Sequence, residues 1–381
     1  DHRDLHYPLR RQRQMCIRDS TNSPEPGLCP AIDANTPQVS GVVFSPNSGI
    51  LPIGDSISMT FQAGEPGLSA VSVTVNGINV TPTFTDNQNG SYSVVYTIAN
   101  GHTDRSSTQQ IPISITVRDD AGNQNVAYTT SPSSTLSPAI DANKPVITAV
   151  SFSPSTGWRK IGDTITMTIN AGESGLNQGT ITINNKPVTS FTDLGDGTYT
   201  VIYSVASGDN DIADNDRIPV NVVLLDDAGN QSSAYTVSPI ANNCPAIDAN
   251  VPVISSLGFS PSSGWRKIGD SVSVTLNAGE TSLTLISGTV NNKNVTGFTD
   301  NLDGTYTATY TILEGDNDID AGSQIPVSFV LSDVAGNRNI AYTSSPSAAN
   351  SPAIDGNKPQ VLSLVYNPTS GWHRVGESFT L

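Results

Sequence analysis

An eight-residue phrase occurs four times along the chain, and its spacing fixes the organisation before any other feature is read. Residues 30–37 read Pro-Ala-Ile-Asp-Ala-Asn-Thr-Pro. The phrase recurs at 138–145, at 245–252 and, with Gly356 in place of alanine, at 352–359. Its aspartates, Asp33, Asp141, Asp248 and Asp355, lie 108, 107 and 107 residues apart. A period of about 20–50 residues marks a solenoid whose units cannot fold alone. A period near 107 is the size of a small domain with its own core. The chain therefore reads as three complete repeats, 30–140, 141–247 and 248–354, with a truncated start of a fourth over 355–381. A non-repeat segment, 1–29, precedes them.

Within the second repeat, polar and apolar residues alternate in short runs. Ile165, Met167 and Ile169 fall on one face; Tyr199, Val201, Tyr203 and Val205 on another; Ile218, Val220, Val222 and Leu224 on a third. Period-two alternation broken by Asp-Gly and Gly-Asn turns predicts strands, and helical spacing appears nowhere. Seven strands are expected, over 146–153, 163–171, 180–184, 188–192, 198–205, 218–225 and 231–237. That count in about 107 residues fits an all-β fold of tandem immunoglobulin-like sandwiches, beads on a string. Trp158, Trp265 and Trp372 fall between the first two strands, where the first repeat has Ile50. An apolar plug at the edge of the core is the expectation; a platform for stacking a ligand is the alternative.

Charge narrows the partners. The sequence holds 18 Lys and Arg against 34 Asp and Glu, a net of −16. A chain this acidic, with no basic cluster in the repeats, does not suit nucleic-acid backbones. The first 20 residues differ from the rest, with five arginines and none of the Ser/Thr/Val texture. Residues 11–19 resemble translated sequencing-adapter read-through, and no apolar stretch makes them a signal peptide. No run approaches the length of a membrane span. Cys29 and Cys244 precede the repeated phrase where other copies have Ser137 and Ser351, so they read as serine-like positions.

The runs Gly195-Asp196-Gly197-Thr198-Tyr199-Thr200-Val201, Asp227-Ala228-Gly229-Asn230 and Gly162-Asp163-Thr164-Ile165-Thr166 resemble the tandem immunoglobulin-like repeats of very large bacterial surface adhesins. Asp141-Ala142-Asn143-Lys144-Pro145 also resembles part of the calcium-binding linker of cadherins, although the further Asp-Asn pair of that motif is missing. The resemblance implies an extracellular or cell-surface location, a surface protein or glycan as ligand, and neighbouring repeats of the same chain as partners.

In such a sandwich the linker shares one pole with the loop after the second strand and the turn between the last two strands. The acidic residues concentrate there. The first head carries Asp33, Asn35, Glu65, Asp119, Asp120 and Asn123; the second, Asp141, Asn143, Glu173, Asp226, Asp227 and Asn230; the third, Asp248, Asn250, Glu280, Asp333 and Asn337. The loop at the opposite pole of the second repeat adds Asp209, Asp211, Asp214 and Asp216, which would face the third head. Carboxylates packed together repel and raise one another's pKa. A Ca²⁺ ion, taking six to eight oxygens in irregular geometry, removes that penalty. These residue types also form ordinary turns, which is the competing reading.

No Ser/His or Cys/His pair, zinc spacing or phosphate loop occurs in the repeats, and the expectation is a non-enzyme. The leading expectation is the repeat stalk of a secreted or surface bacterial adhesin, stiffened by calcium at domain junctions. The alternatives are an inert spacer of a large extracellular enzyme, and carbohydrate-binding repeats.

Overall fold

The computed structural model describes residues 32–367, 369–378 and 380. The non-repeat segment, with Cys16 and Cys29, lies outside them. The described residues contain no α-helix, only strands and four three-residue 3₁₀ turns. No helix among them is long and apolar enough to cross a membrane.

Each repeat is a two-sheet sandwich, and the second shows the plan. One sheet runs Ala149–Ser153, Thr164–Asn170, Thr198–Ser204, Phe191–Asp193, all neighbours antiparallel. The facing sheet runs Lys186–Pro187, Asn177–Ile183, Val220–Leu225. The inward residues predicted from alternation meet between the sheets. Ile165, Met167, Ile169, Tyr199, Val201, Tyr203, Val222 and Leu224 are buried together, and Val220 lies among them. Burial of such aliphatic and aromatic area is the main stabilising contribution. The first and third repeats hold separate cores of the same design.

The seventh strand departs from expectation. In place of a ladder over 231–237, two single bridges remain, Leu225 to Gln231 and Val222 to Tyr235. A side chain takes over the missing backbone pairing. In the first repeat Asn125 Oδ1 accepts the N–H of Val117 at 2.7 Å, while its Nδ2 donates to the Ile115 carbonyl at 3.0 Å. Asn339 does the same for Leu331 and Phe329. In the second repeat Ser232 Oγ accepts from Leu224 at 3.0 Å.

The strand that closes each bead is instead the repeated phrase itself. Ala246–Ile247 pairs in parallel with Trp158–Arg159; Ala139–Ile140 pairs with Ile50–Leu51, and Ala353–Asp355 with Trp265–Lys267. This placement corrects the expectation of an apolar plug. Trp158 and Trp265 hold the sheet edge through their backbones, and the two residues stay 37% and 61% exposed. Cys244 is buried with its thiol 3.6 Å from the Pro239 carbonyl, five residues back; Ser137 and Ser351 instead donate to the carbonyls four residues back, Ser133 and Ser347, at 3.0 and 3.3 Å.

Candidate domain junctions

Four short segments meet where one bead follows another. They are the linker after the closing strand, the acidic turn of the following bead (226–230 and 333–337), and two parts of the preceding bead. Those two are a corner before its long second strand (52–54 and 160–162) and a return loop (99–105 and 206–216).

The acidic turn is locked from within. Asp226 Oδ1 accepts the N–H groups of Gly229 and Asn230, both at 2.8 Å, and its Oδ2 accepts Asn230 Nδ2 at 2.9 Å. Asn230 is thereby aimed at the preceding bead. Its Oδ1 accepts the N–H of Ile53 at 2.7 Å, and its Nδ2 donates to the Asp141 carbonyl at 3.1 Å. One side chain thus bridges two beads and their linker. At the second junction Asn337 accepts from Ile161 at 2.9 Å and donates to the Asp248 carbonyl at 3.0 Å. Asn337 and Asn230 are both buried, each 4% exposed.

The return loop grips the linker from the other side. Asp104 accepts the N–H of Ala142 at 2.8 Å and Asn143 Nδ2 at 2.5 Å. Asp211 accepts from Ala249 and Asn250 at 2.8 and 2.7 Å, and Asp318 from Gly356 and Asn357 at 2.8 and 2.9 Å. Charged acceptors make these stronger than neutral hydrogen bonds.

Glu173 is positioned by the core. The Tyr199 hydroxyl donates to the Glu173 carbonyl at 2.8 Å and accepts the N–H of Leu176 at 2.9 Å. Gly197 has φ +84°, and a Cβ there would meet Gly172 C at 2.7 Å and Glu173 N at 2.8 Å. Only glycine lets that turn lie against the loop carrying Glu173.

The carboxylates of each junction feel one another. Burial, then the charges of Asp226 and Asp104, pushes Asp141 above the usual carboxylate range, against the opposing Asn143 N–H. Glu173 is raised by burial and by Asp226 and Asp141. Asp248 and Glu280 are raised likewise, by burial and then by Asp333 as the largest added charge for both.

The structure therefore brings together Asp141, Asn143, Glu173, Asp226 and Asn230 at the first junction, and Asp248, Asn250, Glu280, Asp333, Asn337 and Asp211 at the second. The head of the first bead repeats the turn geometry, with Asn123 Nδ2 bonded to Asp119 Oδ2 and the Asp33 carbonyl at 2.9 and 3.1 Å. Asn35 donates its N–H to Asp33 at 3.1 Å, and Glu65 offers its carbonyl to Tyr92 at 2.8 Å.

Other predicted residues point elsewhere. Asp209 faces its own bead, accepting the Tyr203 hydroxyl at 2.7 Å and pairing with Lys186 at 3.0 Å. Asp227 accepts from Asn177 at 3.4 Å on the outer surface; it and Asp120 share a position where the third bead has Val334. Asp214 and Asp216 are exposed, with no side-chain hydrogen bond to the linker. Among the described residues no group of three or more His, Cys, Asp or Glu is arranged to hold a metal ion. Asp104, Asp318, Ile53 and Ile161 were not singled out in the sequence. The aspartates were detectable, because Asp104, Asp211 and Asp318 recur at the repeat period. The isoleucines take part through backbone N–H groups, which carry no sequence signal.

These features define a tandem array of immunoglobulin-like β-sandwich domains. No family model and no curated protein sequence matches the chain. Similar solved structures include the I9–I11 tandem of titin, 8% identical with a TM-score of 0.28, covering 83% of this chain and 98% of that one. The ICAM-5 D1–D4 ectodomain fragment is 13% identical with a TM-score of 0.27, covering 81% and 75%. The sialic acid binding region of a Streptococcus sanguinis adhesin is 11% identical with a TM-score of 0.18, covering 85% and 78%.

Proposed function

We propose that this chain is a non-catalytic repeat stalk of a secreted or surface-anchored bacterial adhesin, holding a binding region at a distance from its anchor. The carrying observation is the bridge from Asn230 to Ile53 and Asp141, repeated from Asn337 to Ile161 and Asp248. A spacer of freely jointed beads has no use for a buried side chain tying each bead to the last. Interdomain surfaces within a chain are mobile by default, so a recurrent clasp favours a stiff rod. Small-angle scattering from the full chain tests this. Data fitted by one extended conformation support the reading, and data that require an ensemble of bends overturn it.

Calcium at the junctions is a second element of the proposal. It is supported by the carboxylates of Asp141, Glu173, Asp248 and Glu280, which are raised by burial and by neighbouring charge. These groups, with Asp226 and Asp333, would supply the oxygens. A bound cation would relieve their repulsion and stabilise the aligned pair by linkage. Extracellular modules bind Ca²⁺ at about 10⁻⁴–10⁻³ M, which matches the cell exterior. Melting and scattering in calcium and in chelator separate the two claims. Identical results in both conditions remove calcium and leave the hydrogen-bonded rod intact.

A further inference from the structure

A histidine in the first bead fills a slot that aspartate fills in the other two. In the second bead Asp209 Oδ2 accepts the Tyr203 hydroxyl at 2.7 Å and the N–H of Ala206 at 2.9 Å. In the third, Asp316 Oδ2 accepts Tyr310 at 2.8 Å and Leu313 at 2.9 Å. In the first, His102 Nδ1 lies 3.0 Å from the Tyr96 hydroxyl and accepts the N–H of Ala99 at 3.1 Å. Nδ1 has one lone pair and receives an amide N–H, so the neutral ring carries its proton on Nε2.

The surroundings change in step. Lys186 and Lys293 pair with the two aspartates at 3.0 and 3.3 Å, and the first bead has Ile78 at that position. Arg105 stands where the others have Ile212 and Ile319, and its Nε donates to Asn76 Oδ1 at 2.8 Å. Tyr96 stacks on the imidazole at 5.6 Å; Asn76 of the neighbouring hairpin donates to the Tyr96 hydroxyl and the Thr103 carbonyl and accepts from Arg105, and the other charged group of the loop is Asp104. Beyond them lies linker Asp141, within the field of Asp104.

The loop held by His102 is the one that grips the linker. Gly101 donates to the Ala142 carbonyl at 2.8 Å, Asp104 accepts from Ala142 and Asn143, and Arg105 exchanges backbone hydrogen bonds with Ile140.

We propose that His102 is a proton-operated latch on the first junction. Histidine is the side chain that ordinarily changes charge between about pH 5 and 8. A proton on Nδ1 removes the acceptor and places an N–H against the Ala99 amide and the Tyr96 hydroxyl. Residues 99–105 then release, and with them Asp104's hold on Ala142 and Asn143. The second junction has no such latch. Asp209 is held below the usual carboxylate range, because Ala206, Tyr203 and Lys186 outweigh its burial, so it remains an acceptor in mild acid. The inference rests on the loop geometry and stands apart from the stalk reading.

Amide hydrogen exchange on the full chain, at about pH 7.5 and about pH 5.5 on either side of the histidine range, tests it. After correction for intrinsic rates, protection of the Ala99, Gly101, Arg105, Ile140 and Ala142 amides should fall about tenfold in acid, as expected for losing one or two hydrogen bonds. The matching 206–212 and 247–250 should hold. A double variant, His102→Asp with Ile78→Lys, installs the second bead's aspartate–lysine pair, leaves Arg105 in place, and should abolish the response. Unchanged protection in the first loop overturns the latch, as does an equal loss in both loops. An NMR titration of the His102 ring in the unmodified chain is the independent check. The Ala99 amide must shift with the same midpoint, and an Ala99 amide that ignores the ring's titration overturns the latch.

Discussion

The side-chain oxygen of Asn230 sits 2.7 Å from the backbone nitrogen of Ile53, 177 residues earlier in the chain and in the preceding bead. Asn337 stands in the same relation to Ile161, at 2.9 Å. The acceptor is presented by a turn of its own bead, so the contact belongs to the junction and not to either core.

Asn230→Ala should therefore leave both beads folded but unclasp the first junction. The Ile53 N–H would remain without its acceptor, a cost of about 1–3 kcal/mol where water cannot replace it. Scattering should show a broader range of interbead angles, with little change in the melting of the cores. Asn230→Asp keeps the acceptor, loses the donor to the Asp141 carbonyl and adds charge, and should fall between.

Acidity should tighten the second junction. Asp248 and Glu280 have folded pKa values above their unfolded ones, through burial and then the charge of Asp333, with Asp211 adding to the shift of Asp248 and Asp248 to that of Glu280. Across that interval the folded protein binds more protons than the unfolded chain, so stability rises as pH falls. The gain begins just above the ordinary carboxylate range and is complete below the unfolded values. In chelator, coupling between the second and third beads should strengthen from neutral pH to about pH 5, where native carboxylates begin to take up protons. A coupling that weakens over that interval contradicts the assignment.

The buried pair works in the opposite sense. Asp209 and Asp316 are held below their ordinary value by backbone N–H, tyrosine and lysine donors that outweigh burial. Their contribution is present above the unfolded pKa and lost as pH falls through the folded one. Asp209→Ala should cost the second bead about 1–3 kcal/mol, the loss expected when a buried acceptor is removed from its donors. It should also free the return loop that carries Asp211, seen as faster amide exchange at Ala249, whose N–H Asp211 accepts, and at Gly208, which donates to the Ala249 carbonyl.

Gly197→Ala should destabilise the second bead by at least about 1–3 kcal/mol, the usual cost of a strained backbone conformation. The added methyl also meets Gly172 and Glu173. Gly195→Ala, at φ +81° but with open space around the added methyl, should cost less. Chemical denaturation of both variants gives the comparison, and equal losses would mean the packing against Glu173 is immaterial.

Trp158→Ala should change stability little beyond lost edge packing, because the residue pairs through its backbone with Ala246 and lies exposed at the sheet edge, outside the buried core. Tyr203→Ala should cost about 3–5 kcal/mol, as large aromatic deletions from cores do. A Trp158 penalty of that size would restore the plug.

Alternation and period sufficed for the sandwich because they record which face each side chain turns to. Ile165, Met167 and Ile169 could be assigned inward without knowing their partners. The acidic heads were legible because Asp141, Glu173 and Asp226 recur at one spacing on segments that the fold brings to one pole. What escaped was anything carried by backbone. The corner of Ile53 contributes an amide, and any residue but proline could do that. The missing seventh strand was also hidden, because Asn125 and Asn339 imitate the backbone that their segments withhold. The tryptophans misled for a similar reason: their place in the sheet is set by chain pairing, not by the apolar ring.

The parallel pairing of Trp158–Arg159 with Ala246–Ile247 sets the last strand of one bead beside the short strand that follows its first, Ala149–Ser153. Tension along the chain pulls Trp158–Arg159 from its N-terminal end and Ala246–Ile247 from its C-terminal end. Because the strands are parallel, those pulls are opposed along the strand axis. The ladder is sheared and its hydrogen bonds share the load, whereas a hairpin pulled from its open end loses them one at a time. The phrase that marks each repeat in the sequence is thus where each bead would meet mechanical force at its C-terminal end, as Ala149–Ser153 does at its N-terminal end.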